Sequence, residues 1–113
     1  MLIYKIMVPA EWDAFEATGR FDGSPVDERS GFIHLSSRDQ LARTAVRFFG
    51  EQPELVVVAL DADAFGGSLR WEPASDGGVF PHVYGTLPLT AVVAVHRVGG
   101  AGSVAGAVPD GPA

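Results

Sequence analysis

The sequence predicts an α+β fold in one compact domain. Its 113 residues suit a single domain with a modest core, and a hydrophobic content of 47% is typical of a globular chain. Short runs of β-forming residues alternate with two segments that carry helix start and stop signals. These patterns predict about six strands and two main helices around one core.

The chain begins with a predicted strand and helix. Met1–Val8 is an apolar run of β-forming residues, which predicts a buried first strand. Pro9 then opens a helix over Ala10–Thr18, because its missing N–H costs little at the first helical turn, and Gly19 is a typical helix stop. The polar segment Arg20–Ser30 is predicted to be a loop.

The next three elements carry clear local signals. Phe32–Ser36 is the expected second strand. Ser37 and Gln40 have the spacing of a capping box, which predicts the start of a helix that runs to Phe49. Glu54–Asp61 is a nearly continuous run of β-forming residues and predicts a central strand covered on both faces.

The remaining predicted strands are Leu69–Pro73, Val79–Tyr84 and Ala91–Val98. Pro81 cannot donate a ladder hydrogen bond, so it indicates an edge strand or a bulge. Residues 99–113 are mostly small and show no periodicity. We therefore expect a domain over residues 1–98 followed by a disordered tail over residues 99–113.

Charge and hydropathy exclude several classes of function. A net charge of −6 argues against non-specific nucleic-acid binding, which requires clustered cations. The chain has no cysteine for disulfides or thiolate zinc sites, and no apolar run approaches the roughly 20 residues of a membrane span. Because the N-terminus lacks the pattern of a secretory signal, we expect a cytoplasmic location and no membrane partner. The sequence leaves the oligomeric state open.

Two short segments carry the most chemical information. His34 and Ser36 lie two positions apart on one predicted strand, and His82 and Tyr84 lie two positions apart on another. Side chains two apart on a strand share a face. If the two strands are neighbours, four groups able to form hydrogen bonds or transfer protons converge. The structural alternative for His34 is a ring that bonds to a backbone carbonyl on the polar face of a sheet. For the second segment it is that Tyr84 packs in the core with its hydroxyl group at the surface.

The start of the second predicted helix is a candidate anion site. His34 and Ser36 come just before the predicted helix N-terminus. The free amides of Ser37, Arg38 and Asp39, together with the helix dipole, favour an anion there. This arrangement predicts a nucleotide or phosphate site.

Residues on the fourth predicted strand, Leu69–Pro73, are further candidates. Glu72 shares a strand face with Arg70, so it belongs either to a solvated ion pair or to the catalytic site. Trp71 packs in the core or stacks on an aromatic ligand ring.

Two arginines lie one turn apart on the second predicted helix. Asp39 and Arg43 have the spacing of a solvated ion pair. Arg47 has no acidic residue four positions away within the helix, so it is expected to reach either a ligand phosphate or a loop carboxylate.

Metal and triad chemistry have weaker support. A metal needs three or four converging ligands, and the three histidines are far apart in the sequence. His34, His82 and Glu72 are a geometrically possible ligand set, but no local spacing requires one, so we expect no metal. Neither Ser36 nor Ser37 lies in the G-x-S-x-G pattern of a nucleophile.

At these segments the chain resembles the DUF952 family of small bacterial proteins. The matching features span about residues 2–98 and are Ile3-Tyr4-Lys5-Ile6, Trp12, Gly31-Phe32-Ile33-His34-Leu35-Ser36, Arg47-Phe48-Phe49, Arg70-Trp71-Glu72 and Phe80-Pro81-His82-Val83-Tyr84-Gly85. The family is in turn distantly similar to the ADP-ribosyltransferase fold superfamily. That resemblance implies two small, mostly antiparallel sheets with an NAD-binding cleft between them.

The resemblance also implies roles for particular residues. His34 and Ser36 would hold the nicotinamide ribose and amide, and Tyr84 would stack on nicotinamide. The catalytic glutamate of classical transferases has no clear counterpart, and the nearest carboxylates are Glu72 and Glu28. Some relatives of that fold lack the glutamate and use His and Arg on phosphate–ribose chemistry, which would suit His82 with Arg47.

Three functions are therefore weighed. The first is an enzyme that acts on NAD or a related ADP-ribose compound, with a small nucleotide as its ligand and no metal. Its catalytic residues would be His34, His82 and Glu72, and its ligand-binding residues Ser36, Ser37, Arg47, Trp71 and Tyr84. The second is a non-catalytic module that binds a nucleotide or small metabolite. The third is a metal-dependent hydrolase that uses the two histidines.

Overall fold

A three-stranded antiparallel sheet lies at the centre of the molecule. The computed structural model describes residues 1–75 and 77–109 and orders this sheet β1-β4-β8, with β1 Leu2–Met7, β4 Leu55–Asp61 and β8 Val92–Val98. Residues 55–60 of β4 are all buried, which confirms the prediction of a central strand covered on both faces. Because side chains alternate along a strand, β4 contributes to two separate cores.

One face of this sheet is covered by the first helix and by the second sheet. Helix α1 (Pro9–Thr18) begins at Pro9 and ends at Gly19, which has a φ of 79°, as its sequence predicts. The helix packs Trp12 and Phe15 into this core together with residues of the smaller sheets. The other face is covered by α3 (Leu41–Phe49), whose Leu41 and Ala45 are fully buried.

The second sheet carries the histidines. It has the order β3-β6-β5, from β3 Ile33–His34, β6 Val79–Val83 and β5 Leu69–Pro73, while two short strands, β2 Arg20–Phe21 and β7 Leu87–Pro88, form a separate pair. The prediction that Pro81 marks an edge or a bulge is wrong, because β6 is the middle strand and pairs in register on both sides. Pro81 is tolerated because β3 ends at His34, and the Pro81 carbonyl simply accepts a hydrogen bond from Leu35 N at 3.0 Å.

The predicted loop over residues 20–30 is largely ordered secondary structure. It contains strand β2 and helix α2 (Pro25–Ser30). Ser24 is the N-cap of this helix, Pro25 is its first residue and Gly31 ends it with a φ of 85°. The polar composition that predicts a loop is in fact the composition of a helix with capping residues at both ends.

The second predicted helix begins less regularly than its sequence suggests. A 3-10 turn over Arg38–Gln40 precedes the α-helical residues of α3. Gln40 Oε1 accepts a hydrogen bond from Ser37 N at 2.9 Å, which is the side-chain half of the predicted capping box.

The segment that follows β8 is also ordered as far as the structure describes it. A 3-10 turn over Ala101–Ser103 leads into α4 (Val104–Ala107), and Ala101, Val104 and Val108 are buried in the core beneath α3. The expectation of a disordered tail is therefore wrong for residues 99–109, because Ala101, Val104 and Val108 supply enough apolar contact to hold the segment against α3. Residues 110–113 lie outside the described residues.

The architecture is α+β, as predicted, and α1 and α3 are the longest described helices, with 10 and 9 residues. No helix within the described part of the chain is long and apolar enough to cross a bilayer.

Candidate functional site

A cleft of about 440 Å³ runs along β1, between α3 and the second sheet. Its walls are mostly apolar and include Val26, Phe48, Phe49 and Phe80. Both histidines of the second sheet line it. The cleft thus has the size and character of a small-molecule site, with a few polar groups set among apolar walls.

His34 and His82 lie directly opposite each other on neighbouring strands. They are paired in the antiparallel register of β3 and β6, and their ring centroids are 5.4 Å apart. The sequence leaves open whether these two segments meet, and the register shows that they do. A cross-strand pair of this kind holds two side chains together on one face of a sheet.

Asp27 holds His34 in position through hydrogen bonds to its ring and its backbone. Asp27 Oδ1 accepts hydrogen bonds from His34 Nδ1 at 2.7 Å and from His34 N at 3.0 Å. Asp27 Oδ2 accepts from Ser24 N at 2.9 Å. The carboxylate is only 2% exposed, whereas the His34 side chain is 40% exposed. A buried carboxylate therefore fixes both the backbone and the ring of His34.

Lys5 supplies the counter-charge for Asp27. Its Nζ donates to Asp27 Oδ2 at 2.9 Å and to the carbonyl oxygen of His34 at 2.9 Å. Lys5 is the sole lysine of the chain and is buried in β1. An ion pair of this kind stabilises little in net terms, but loss of one partner leaves a buried charge uncompensated.

The environment of Asp27 keeps it ionised. Burial by itself raises the pKa of this carboxyl group, but the hydrogen bond from His34 and the charge of Lys5 together outweigh burial. The pKa of Asp27 is consequently held well below its usual range.

His82 has its own carboxylate partner. Its Nδ1 lies 2.9 Å from Glu72 Oε1, which also accepts a hydrogen bond from the Tyr84 hydroxyl at 2.7 Å. The hydrogen bonds from Tyr84 and His82 lower the pKa of Glu72, and the same bond to Glu72 raises the pKa of Tyr84. Here the carboxylate is partly exposed and the imidazole is buried, with side-chain exposures of 32% and 10%.

Phe32 holds the two histidine rings from one side. Its ring stacks on His82 with centroids 4.1 Å apart, and it lies 4.6 Å from the His34 ring and 5.3 Å from the Tyr84 ring. Aromatic contacts at these distances restrict ring rotation.

The second nitrogen of each imidazole is available to the cleft. Within residues 1–75 and 77–109, no protein group bonds to Nε2 of His34 or His82, and no fully buried side-chain nitrogen lacks a partner. Both Nε2 atoms are therefore reached by solvent. Because a carboxylate bound at Nδ1 sets the tautomer and ring orientation, Nε2 is the atom placed for proton transfer.

The structure brings some of the other predicted residues to the cleft. Ser36 and Arg47 line it directly. Glu72 and Tyr84 lie behind His82 and do not line the cleft, although they remain part of the same hydrogen-bonded group.

Three predicted residues lie elsewhere. Trp71 is opposite Pro81 in the β5–β6 pair and 40% exposed, so it neither packs in the core nor lines the cleft. Ser37 is outside the cleft, and its amide is already bonded to Gln40. Glu28 is exposed on α2 and also outside the cleft.

Sequence reasoning missed Asp27, Lys5 and Phe32. A signal existed for the first two. Ser24, Pro25 and Asp27 have the spacing of an N-cap, a first-turn proline and a capping-box acid, which predicts a helix. Lys5 interrupts an apolar strand, and a buried cation requires a carboxylate partner. No sequence pattern indicates that Phe32 packs against both histidine rings.

No group of three or more histidine, aspartate or glutamate side chains in the described part of the chain is arranged to hold a metal ion. Each of the two histidines uses Nδ1 for a carboxylate, so the described residues give no support to the hydrolase alternative.

Comparison with known proteins places the chain in a family. Residues 6–95 match the model of the family described as "Protein of unknown function (DUF952)". The chain belongs to the DUF952 family. This membership confirms the resemblance carried by the two histidine segments, since both lie within the matched range.

Solved structures of a similar protein have the same fold. The crystal structure of protein CC0527 from Caulobacter crescentus is 45% identical, covers 87% of this chain and 86% of its own, and has a TM-score of 0.83. The solution NMR structure of CC0527 is 47% identical, with coverages of 83% and 81% and a TM-score of 0.74. No curated protein is significantly similar to this chain. These similarities give no support to the more distant likeness to ADP-ribosyltransferases.

Proposed function

We propose that this DUF952 protein is an enzyme that binds NAD or a related ADP-ribose compound and acts on it with His34 and His82 as its general acid and general base. The observation that carries the proposal is the paired arrangement of the two imidazoles. Each is held through Nδ1 by its own carboxylate, and each leaves Nε2 to one shared cleft.

Two imidazoles in this arrangement suit general acid–base catalysis. One accepts, through Nε2, the proton of a hydroxyl group or water whose oxygen attacks phosphorus. The other, in its protonated form, donates a proton to the oxygen that leaves as its bond to that phosphorus breaks. Asp27 and Glu72 stabilise the positive charge that forms on each ring and keep the rings in position. Both are positioning residues, because each carboxylate bonds to the Nδ1 atom of a histidine and acts through that ring.

The position of Glu72 changes the chemistry that we propose. Its carboxylate bonds to His82 and Tyr84 through Oε1 and does not line the cleft, so it is not placed to stabilise an oxocarbenium-like ribose. Proton transfer at a phosphate or ribose hydroxyl requires no such carboxylate. This arrangement therefore favours phosphate–ribose chemistry on an ADP-ribose compound over classical ADP-ribosyl transfer.

The cleft supports a ligand with both an aromatic and a polar part. A volume of about 440 Å³ lies within the range of small-molecule sites, and Phe48, Phe49 and Phe80 offer flat apolar surface for a base. Ser36 and Arg47 supply polar groups on the same walls. Arginine is well suited to bidentate phosphate binding.

Titration with NAD and with ADP-ribose, followed by protein NMR, tests the proposal. We expect saturable shifts of the amides of His34, Leu35, Ser36, Phe80 and His82, which line the cleft. His34→Asn and His82→Asn remove Nε2 but keep an amide nitrogen where Nδ1 bonds to the carboxylate. We expect each to abolish turnover while the fold is retained. His96→Asn is the matched control, because His96 lies on β8 away from the cleft.

Two results would change the assignment. Saturable binding without turnover, even at high enzyme concentration and long incubation, would favour the non-catalytic binding module. An absence of shifts at both segments with millimolar ligand would overturn the nucleotide proposal.

A further inference from the structure

A second pocket lies next to the histidine cleft along α3. It has a volume of about 230 Å³ and shares Thr44, Arg47, Phe48 and Phe80 with the cleft. The two spaces are therefore neighbours that share part of one wall, which includes the exposed Phe48. A ligand that extends past this shared wall would reach the second pocket.

Arg43 lies in the second pocket without a charged partner. Its spacing from Asp39 predicts an ion pair, but the structure has no ion pair or hydrogen bond between them, and Arg43 forms none with any other described residue. Its side chain is exposed. The guanidinium group is thus available to a ligand. The predicted ion pair between Asp39 and Arg43 is therefore wrong.

A guanidinium group without a protein partner favours an anion at this pocket. Arg43 lines the pocket and has no ion pair with a described residue, in a chain whose net charge is −6. A single cationic group of this kind suits a small anion rather than a nucleic-acid backbone, which requires an extended cationic surface.

We infer that the second pocket is a phosphate subsite, in which Arg43 binds a phosphate group of a ligand whose reacting part lies at His34 and His82. The inference deepens the proposed function and rests on it for the identity of the complete ligand. It also limits the substrate class to elongated phosphate compounds, because a ligand confined to the cleft would not reach Arg43.

Inorganic pyrophosphate is the direct probe of the subsite. We expect it to cause a saturable, salt-sensitive shift of the Arg43 Nε–Hε NMR signal, and we expect Arg43→Gln to abolish the binding. Arg97→Gln is the matched control, because Arg97 is exposed on β8 outside both pockets. With ADP-ribose, Arg43→Gln should weaken binding by about tenfold or more, as expected for a lost hydrogen bond between charged groups. Binding of nicotinamide riboside, which has no phosphate, should be unchanged.

The outcomes separate this inference from the proposed function. If pyrophosphate leaves the Arg43 signal unmoved, or binds Arg43→Gln as well as wild type, the subsite is refuted. If ADP-ribose shifts the histidine segments equally in wild type and Arg43→Gln, the subsite also fails while the proposed function stands. If pyrophosphate binds at Arg43 but NAD and ADP-ribose shift neither histidine segment, the subsite stands and the proposed function fails.

Discussion

The two histidines are supported in opposite ways. Under His34, a carboxylate that is 2% exposed holds a ring that is 40% exposed. Beside His82, a carboxylate that is 32% exposed holds a ring that is 10% exposed. The same contact, a carboxylate at Nδ1, is therefore built once as part of the protein interior and once at its surface. Asp27 is needed for folding as well as for the site, whereas Glu72 is needed for the site alone.

The largest expected effect separates these two carboxylates by stability. Asp27→Asn leaves Lys5 buried without its counter-charge, so we expect the free energy of unfolding to fall by about 3 kcal/mol or more. Glu72→Gln is the matched carboxylate-to-amide change and should leave the urea midpoint almost unchanged, since its side chain is partly exposed. Equal midpoints for the two variants would contradict the comparison.

Low pH should destabilise the fold through protonation of Asp27. Because the folded-state pKa of Asp27 is lowered, the unfolded chain takes up this proton first as the pH falls. The stabilisation is complete above the unfolded value of about 4 and is lost as the pH falls below it. We therefore expect the urea midpoint of the wild type to decline between about pH 5 and 3, more steeply than that of Asp27→Asn. Parallel declines would show that other carboxylates control acid unfolding.

A smaller effect tests how firmly α2 positions His34. Gly31 and Gly19 end α2 and α1 with similar positive φ values of 85° and 79°, and a Cβ atom at either would meet no neighbour within 4 Å. Alanine at each should therefore cost about 1 kcal/mol from backbone strain alone. We expect only Gly31→Ala to shift the His34 ring signals in an NMR spectrum. If Gly19→Ala shifts them equally, the effect is not local to α2.

The smallest expected effect is spectroscopic. The hydrogen bond to Glu72 raises the pKa of Tyr84, so Glu72→Gln should move that pKa back towards its ordinary value. Ultraviolet titration of the phenolate can measure this, with Tyr84→Phe to identify the signal because Tyr4 is the second tyrosine. Stability at neutral pH should not change. An unaltered titration would place the Tyr84–Glu72 hydrogen bond in doubt.

The sequence predicts the framework better than the support of the site. The strand pattern of β4, the capping signals of α1 and α3 and the shared face of His34 and Ser36 all depend on neighbours in the chain, and such local patterns survive folding. Asp27 meets Lys5 and His34 across 22 and 7 positions of sequence, and only the tertiary fold brings them together.

Composition was misleading where polar or small residues have a tertiary role. Residues 24–31 are polar because they cap a helix and pair buried groups, although polarity also indicates a loop. Residues 99–109 resemble a disordered tail because most of them are small, yet Ala101, Val104 and Val108 are buried beneath α3. That contact lies far away in the chain, whereas the helix over residues 25–30 is marked by its own capping residues.

Residues 108 and 109 anchor the 3-10 turn that precedes α3, the helix that forms one wall of the cleft. Arg38 donates hydrogen bonds to the carbonyl oxygens of Pro109 and Val108 at 2.8 and 2.6 Å, immediately before the helix whose opposite end carries Arg47 and Phe48. The position of that helix is therefore set partly by residues outside the cleft. Substitutions in residues 104–109 can alter the width of the cleft while every residue that lines it stays the same.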